Sequence, residues 1–69
     1  MVAGTVKWFD PVKGIGFIRP EDGSKDVLVR TSDIRAAGLR TLNQGQKVEY
    51  DPMKGNDGKI VAKNIKLIY

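Results

Sequence analysis

Two short stretches, TVKWF at residues 5–9 and IGFIR at residues 15–19, decide the fold of this 69-residue chain. Both are rich in β-branched and aromatic residues, which favour strands, and the turn formers Asp10-Pro11 and Lys13-Gly14 lie between them. Three similar runs follow at residues 27–30, 47–51 and 60–68. Because no segment shows a sustained helical period, five strands at this spacing predict an all-β fold, a small β-barrel.

A short helical turn is expected between the third and fourth strands. Thr31-Ser32-Asp33 offers an N-cap before Ile34, and Gly38 should end the helical segment after about two turns. The following loop carries Leu39 and Leu42, whose apolar side chains should hold it against the barrel. The chain shows no repeat and no linker, so residues 1–69 are predicted to form a single domain.

The amino-acid composition argues against several classes of function. The sequence contains no Cys and no His, which argues against disulfides, thiol or imidazole catalysis, and most zinc or haem sites. Its acidic residues show no acid/base spacing, so we expect neither an enzyme nor a cofactor nor a small-molecule substrate. No apolar run approaches the roughly 20 residues of a membrane span, and we expect a cytoplasmic protein without membrane contact. Twelve Lys plus Arg against eight Asp plus Glu give a net charge of +4, which favours polyanions.

Strand alternation predicts which side chains point inward. Gly16 and Ile18 should face the core, as should Val27 and Val29. The opposite face then carries apolar and cationic side chains together: Ile15, Phe17, Arg19, Leu28 and Arg30. In the first strand Val6, Trp8 and Phe9 cannot all be buried by strict alternation, which predicts either a bulge or an exposed aromatic residue, and we favour an exposed Trp8.

Basic and aromatic residues alternate within the first two strands. Lys7 precedes Trp8, and Lys13 precedes Phe17 across a glycine-rich turn. Proteins that hold single strands of nucleic acid need flat rings for the bases and cations for the phosphates. The pattern therefore favours a surface that binds single-stranded RNA or DNA.

The same residues carry a resemblance to a known family. The chain is similar to the cold-shock domain over its full length, and the similarity rests on the stretches GTVKWFD at 4–10, KGIGFI at 13–18, DGSKDV at 22–27, LNQGQKV at 42–48 and AKNI at 62–65. This resemblance implies a five-stranded antiparallel barrel of the oligonucleotide-binding type. It also implies binding of single-stranded RNA or DNA by an exposed aromatic face, as an RNA chaperone or a regulator of transcription or translation under stress.

The chain departs from the family pattern mainly on that face. The family usually has an aromatic residue at the position of Ile15, and reads Val-Phe-Val-His-Phe where this chain has Val-Leu-Val-Arg-Thr at residues 27–31. A further family aromatic falls at about Leu39, and the usual basic-Gly-Pro of the last hairpin is replaced by Gly-Lys-Ile at residues 58–60. Only Trp8 and Phe17 remain as rings among the mapped positions.

Two interpretations follow from these departures. In the first, Arg30 replaces a lost ring by stacking on bases or contacting phosphate, while Lys7, Lys13, Arg19 and Lys59 supply charge. In the second, Ile15, Leu28 and Leu39 form an apolar patch for a protein partner or for self-association. We favour the first, with a monomeric protein that binds with low sequence specificity and more weakly than typical relatives. The predicted binding residues are Lys7, Trp8, Lys13, Ile15, Phe17, Leu28, Arg30, Thr31, Leu39 and Lys59.

Overall fold

A computed structural model describes residues 2–55 and 57–68. The strands are β1 (Val2–Asp10), β2 (Ile15–Pro20), β3 (Val27–Arg30), β4 (Lys47–Lys54) and β5 (Ile60–Leu67), with one short helix, α1 (Thr31–Ala36), between β3 and β4. All five predicted strands and the helical turn are therefore confirmed. No helix in the described part of the chain is long and apolar enough to cross a membrane.

The five strands close into a barrel in the order β1-β2-β3-β5-β4. The pairs β1 with β2, β2 with β3, β1 with β4 and β4 with β5 are antiparallel. The closing pair differs from the predicted antiparallel arrangement, because β3 and β5 run parallel with Leu28 opposite Val61. A parallel pair needs a long connection, and α1, the following loop and β4 supply it.

The barrel interior is filled by the inward side chains that alternation predicts. Gly16 is buried and Ile18, Val27 and Val29 join the hydrophobic core, together with Tyr50 from β4. A Cβ atom at Gly16 would lie 2.6 Å from the carbonyl oxygen of Trp8, so only glycine permits this approach of β2 to β1. The core thereby fixes the outward face of the same two strands.

The helix is anchored differently from the prediction. Its N-cap residue is Arg30, with no side-chain hydrogen bond, so the Thr31-Ser32-Asp33 cap predicted from sequence is wrong. Asp33 is instead buried and forms an ion pair with Lys63 of β5. This pair ties α1 to the barrel, and a buried carboxylate is stabilised only when such a partner is present. Leu42 is buried in the core, as predicted for the loop that follows α1.

Candidate nucleic-acid interface

A bulge in β1 exposes the first aromatic residue. The register of β1 against β2 shifts between Val6 and Trp8, which allows Trp8 to face outward while Phe9 packs against the core. Trp8 is 40% exposed and lies opposite Phe17 of β2. The two ring centroids are 5.2 Å apart in an edge-to-face arrangement with an interplanar angle of 61°. The favoured prediction for this strand, an exposed Trp8, is confirmed, and the bulge, which the sequence offered as its alternative, is present as well.

Strand register extends this pair into a surface across three strands. Phe17 lies opposite Leu28 of β3, so Trp8, Phe17 and Leu28 form one row across the barrel. The next row on the same face is formed by Asp10, Ile15 and Arg30. Rings, aliphatic side chains and a guanidinium group therefore occupy neighbouring outward positions, as alternation predicted.

Beside these rows lies an open groove of about 750 Å³. One wall is formed by Ile15, Phe17 and Leu28, and the opposite wall by residues of the β4–β5 hairpin: Pro52, Lys54, Gly58, Lys59 and Ile60. Lys25 and Asp26, from the loop between β2 and β3, line one end. We call this the central groove. Its lining combines apolar side chains with three lysines and one carboxylate, and apolar surface beside cations suits bases and phosphates.

Leu28 is more enclosed than strand alternation predicts. It lines the central groove, but only 8% of its surface is exposed. Its strand pairs in parallel with β5 at Val61, which places β5 next to Leu28, and this long-range contact cannot be predicted from the local sequence. Only the small part of its side chain that faces the groove is accessible.

The predicted cations differ in their surroundings. Lys7 forms an ion pair with Asp26, with 3.0 Å between its Nζ and the carboxylate Oδ2. Lys13 is exposed in the turn between β1 and β2, where its backbone N–H donates to the Asp10 carboxylate. Arg30 is exposed beside Ile15, and Lys59 lines the central groove. Part of the positive charge of Lys7 is thus balanced within the protein.

Four of the ten predicted binding residues line the central groove: Ile15, Phe17, Leu28 and Lys59. The other six do not, and two of these, Leu39 and Thr31, serve the fold instead. Leu39 follows α1, donates its backbone N–H to the carbonyl of Ile34, and packs against the hydrophobic core. Thr31 is half-buried, and its backbone N–H donates to the carbonyl of Gly14. Its hydroxyl is directed at Gly14, since a Cβ atom there would lie 2.7 Å from it. Both side chains are placed to support the fold next to the binding face.

The sequence interpretation left out several groove residues: Lys25, Asp26, Pro52, Lys54 and Ile60. Their positions depend on the path of a loop and on the closure of the barrel, neither of which follows from local periodicity. The only sequence signal was the charge beside the turn at residues 55–58, where Lys54 and Lys59 flank the hairpin. Such residues are usually only solvated, so this signal was weak.

The chain is similar to known proteins over nearly its whole length. A family model described as the 'Cold-shock' DNA-binding domain matches residues 2–68. The chain is 52% identical over 66 residues to a probable cold shock protein, y4cH, of Sinorhizobium fredii, covering 94% of this chain and 96% of that protein. It is 49% identical over 67 residues to the cold shock protein CspA of Rhizobium meliloti, covering 96% and 97% of the two chains. It is 50% identical over 66 residues to the cold shock-like protein CspE of Escherichia coli K12, covering 96% of each.

Proposed function

Because this chain belongs to the cold-shock DNA-binding domain family, we propose that it binds single-stranded RNA or DNA with low sequence specificity on its β1–β3 face. In this proposal Trp8 and Phe17 stack bases, and Ile15 and Leu28 give apolar support. Lys13, Arg30 and Lys59 contact phosphates, and Lys7 joins them when its pair with Asp26 opens. The protein acts by binding, as an RNA chaperone or a regulator of transcription or translation, without catalysis.

One observation carries this proposal. The exposed Trp8 forms an edge-to-face pair with Phe17, and Phe17 in turn lines a groove that Lys25, Lys54 and Lys59 also line. An exposed ring beside cations is the arrangement that single strands require, because every base presents a flat face next to a charged phosphate. Such a ring adds little to a barrel core, so binding explains its position better than stability does.

The proposal includes an affinity lower than that of typical relatives. Ile15 and Leu28 occupy positions where the resemblance implies rings, and each stacked base is worth about 1–3 kcal/mol. Charge from lysine and arginine does not replace stacking in full, since salt screens it. We therefore expect binding that weakens strongly as the salt concentration rises.

Trp8 provides the direct test, because it is the only tryptophan in the chain. Its fluorescence should change on titration with oligothymidine and should respond much less to a duplex of the same length. For three to five phosphate contacts, the slope of log K against log salt should be about −2 to −4. A flat salt response, or tighter binding of the duplex, would contradict the proposal.

The alternative function is a contact with a protein partner or a second copy through the apolar patch. The positions of Leu39 and Leu28 weaken it, since Leu39 packs on the core and Leu28 is largely enclosed. The apolar residues that remain in the central groove, among them Ile15, Phe17 and Ile60, lie beside the lysines that also line it. Sedimentation of the free protein tests this alternative, which requires concentration-dependent association.

A further inference from the structure

A second pocket of about 580 Å³ lies beyond the end of the central groove. Its lining includes Thr5 of β1, Arg19 of β2, and Glu21, Ser24, Lys25 and Asp26 of the following loop. We call it the Arg19 pocket. Lys25 and Asp26 line both this pocket and the central groove, so the two spaces are adjoining rather than separate.

The outward face of β2 connects the two spaces. Ile15 and Phe17 line the central groove, and Arg19, the next outward residue of the same strand, lines the second pocket. Two residues of a strand span about 7 Å, so the Arg19 side chain begins about one side-chain position beyond the stacking ring of Phe17. Thr5 lies opposite Arg19 in the register and completes this end of the face.

The loop that forms the other wall is held in place by hydrogen bonds. The backbone N–H of Glu21 donates to the carbonyl of Ala3, which fastens the start of the loop to β1. The backbone N–H of Ser24 donates to the Asp22 carboxylate, and hydrogen bonds from the Ser24 side chain and backbone lower the pKa of Asp22. Lys7 fastens the far end through Asp26. The pocket is thus built from anchored backbone.

Two cations and two carboxylates line the pocket, and the pairing of one carboxylate with Lys7, outside the lining, leaves the cations in excess. Arg19 and Lys25 are both positive, whereas Glu21 is negative and the charge of Asp26 is balanced by Lys7. A guanidinium group offers paired donors that match the oxygens of a phosphate, and the Thr5 and Ser24 hydroxyls add further donors. The space is large enough for one nucleotide.

We propose that the Arg19 pocket is a phosphate subsite that takes one further nucleotide of a strand already stacked on Trp8 and Phe17. This inference rests on the proposed function and lengthens the strand path past Phe17, across Lys25, to Arg19. It predicts a specific effect of oligonucleotide length. A strand confined to the central groove does not contact Arg19, whereas a longer strand does.

The experiment compares fluorescently labelled oligothymidines of about 4 and about 10 nucleotides, both within the range of site sizes for such barrels. Binding is measured by anisotropy for the unmodified protein, Arg19→Gln and Arg40→Gln. Arg40 is exposed, lines neither space, and loses the same charge on substitution. Arg19→Gln should weaken binding of the longer strand by about five- to tenfold and reduce its salt slope by about 0.7, with the shorter strand unaffected.

Glu21→Gln supplies a variant with the opposite expected effect. Removing this carboxylate from the pocket should tighten binding of the longer strand only, because it no longer repels the phosphate. Thermal melting of each variant checks that the fold is retained. We expect this because the side chains of Arg19 and Glu21 are exposed.

The outcomes separate this inference from the proposed function. Equal effects of Arg19→Gln and Arg40→Gln, or an equal loss for both strand lengths, would overturn the subsite while leaving single-strand binding intact. Failure of the unmodified, folded protein to bind either strand would overturn the proposed function and the subsite with it. A length-selective loss with Arg19→Gln and a length-selective gain with Glu21→Gln would support both.

Discussion

Restoring a ring at residue 15 should tighten single-strand binding. Ile15 lines the central groove two residues before Phe17 on the same face of β2, so a phenylalanine there would place a second ring about 7 Å along the strand. One additional stacked base is worth about 1–3 kcal/mol, which corresponds to about a fivefold gain in affinity at the lower end. Overpacking a core typically lowers stability by about 1–3 kcal/mol. Because Ile15 is only half-buried, the larger side chain should lower stability by less than that.

The matched control for this prediction is Val12→Phe. Val12 is 93% exposed in the turn between β1 and β2 and lines neither the groove nor the Arg19 pocket, so the same ring meets only solvent there. Isothermal titration with oligothymidine should show tighter binding for Ile15→Phe and no comparable gain for Val12→Phe. Unchanged affinity in a folded Ile15→Phe protein, or equal gains for both variants, would refute the assignment of the binding face.

Three other expected results test individual groups. Trp8→Ala should lower the affinity for oligothymidine by at least about fivefold in an anisotropy assay. It should reduce the free energy of unfolding by less than about 3–5 kcal/mol, which is the cost of replacing a buried tryptophan by alanine. A larger loss of stability would place Trp8 in the core. Asp26→Asn releases Lys7 from its ion pair, so binding should tighten and the salt slope should steepen by about 0.7, and an unchanged slope would show that Lys7 stays away from the strand. Burial raises the pKa of Tyr50 above the ordinary tyrosine value of 10.0, so the unfolded chain loses this proton first and stability should fall as the pH rises above about 10. Melting curves of Tyr50→Phe should lack this part of the decline; an identical decline in both proteins would argue against it.

The first two strands show how far local sequence determines this fold. In β2, alternation correctly separates the buried Ile18 from the outward Ile15 and Phe17, because a strand directs neighbouring side chains to opposite faces. In β1, the conflict among Val6, Trp8 and Phe9 predicts a bulge or an exposed ring, since three apolar residues cannot all enter the core from a regular strand, and the structure has both. Local packing rules thus predict the part of this outward face that β1 and β2 form.

The rest of this face depends on contacts between distant parts of the chain. Leu28 pairs with Val61, which is far away in sequence, and this closure sets the β4–β5 hairpin across from β2 and β3. Only then do Lys59 and Ile60 face the same groove as Phe17. The hydrophobic periodicity within β3 or within β5 does not reveal that these two strands pair. For this reason strand alternation alone predicts that Leu28 is open to solvent.

The loop between β2 and β3 also determines how much of the protein's charge is available to a strand. Net charge counts Lys7 as a free cation, but Asp26 holds it at 3.0 Å, and a phosphate must compete with that carboxylate. Asp26 also lies where the central groove meets the Arg19 pocket. A strand that enters from the groove and extends to Arg19 therefore passes the same ion pair whose opening would release Lys7. Phosphate contact with Lys7 and occupation of the Arg19 pocket should consequently be coupled, so that Asp26→Asn and Arg19→Gln affect binding of longer strands non-additively.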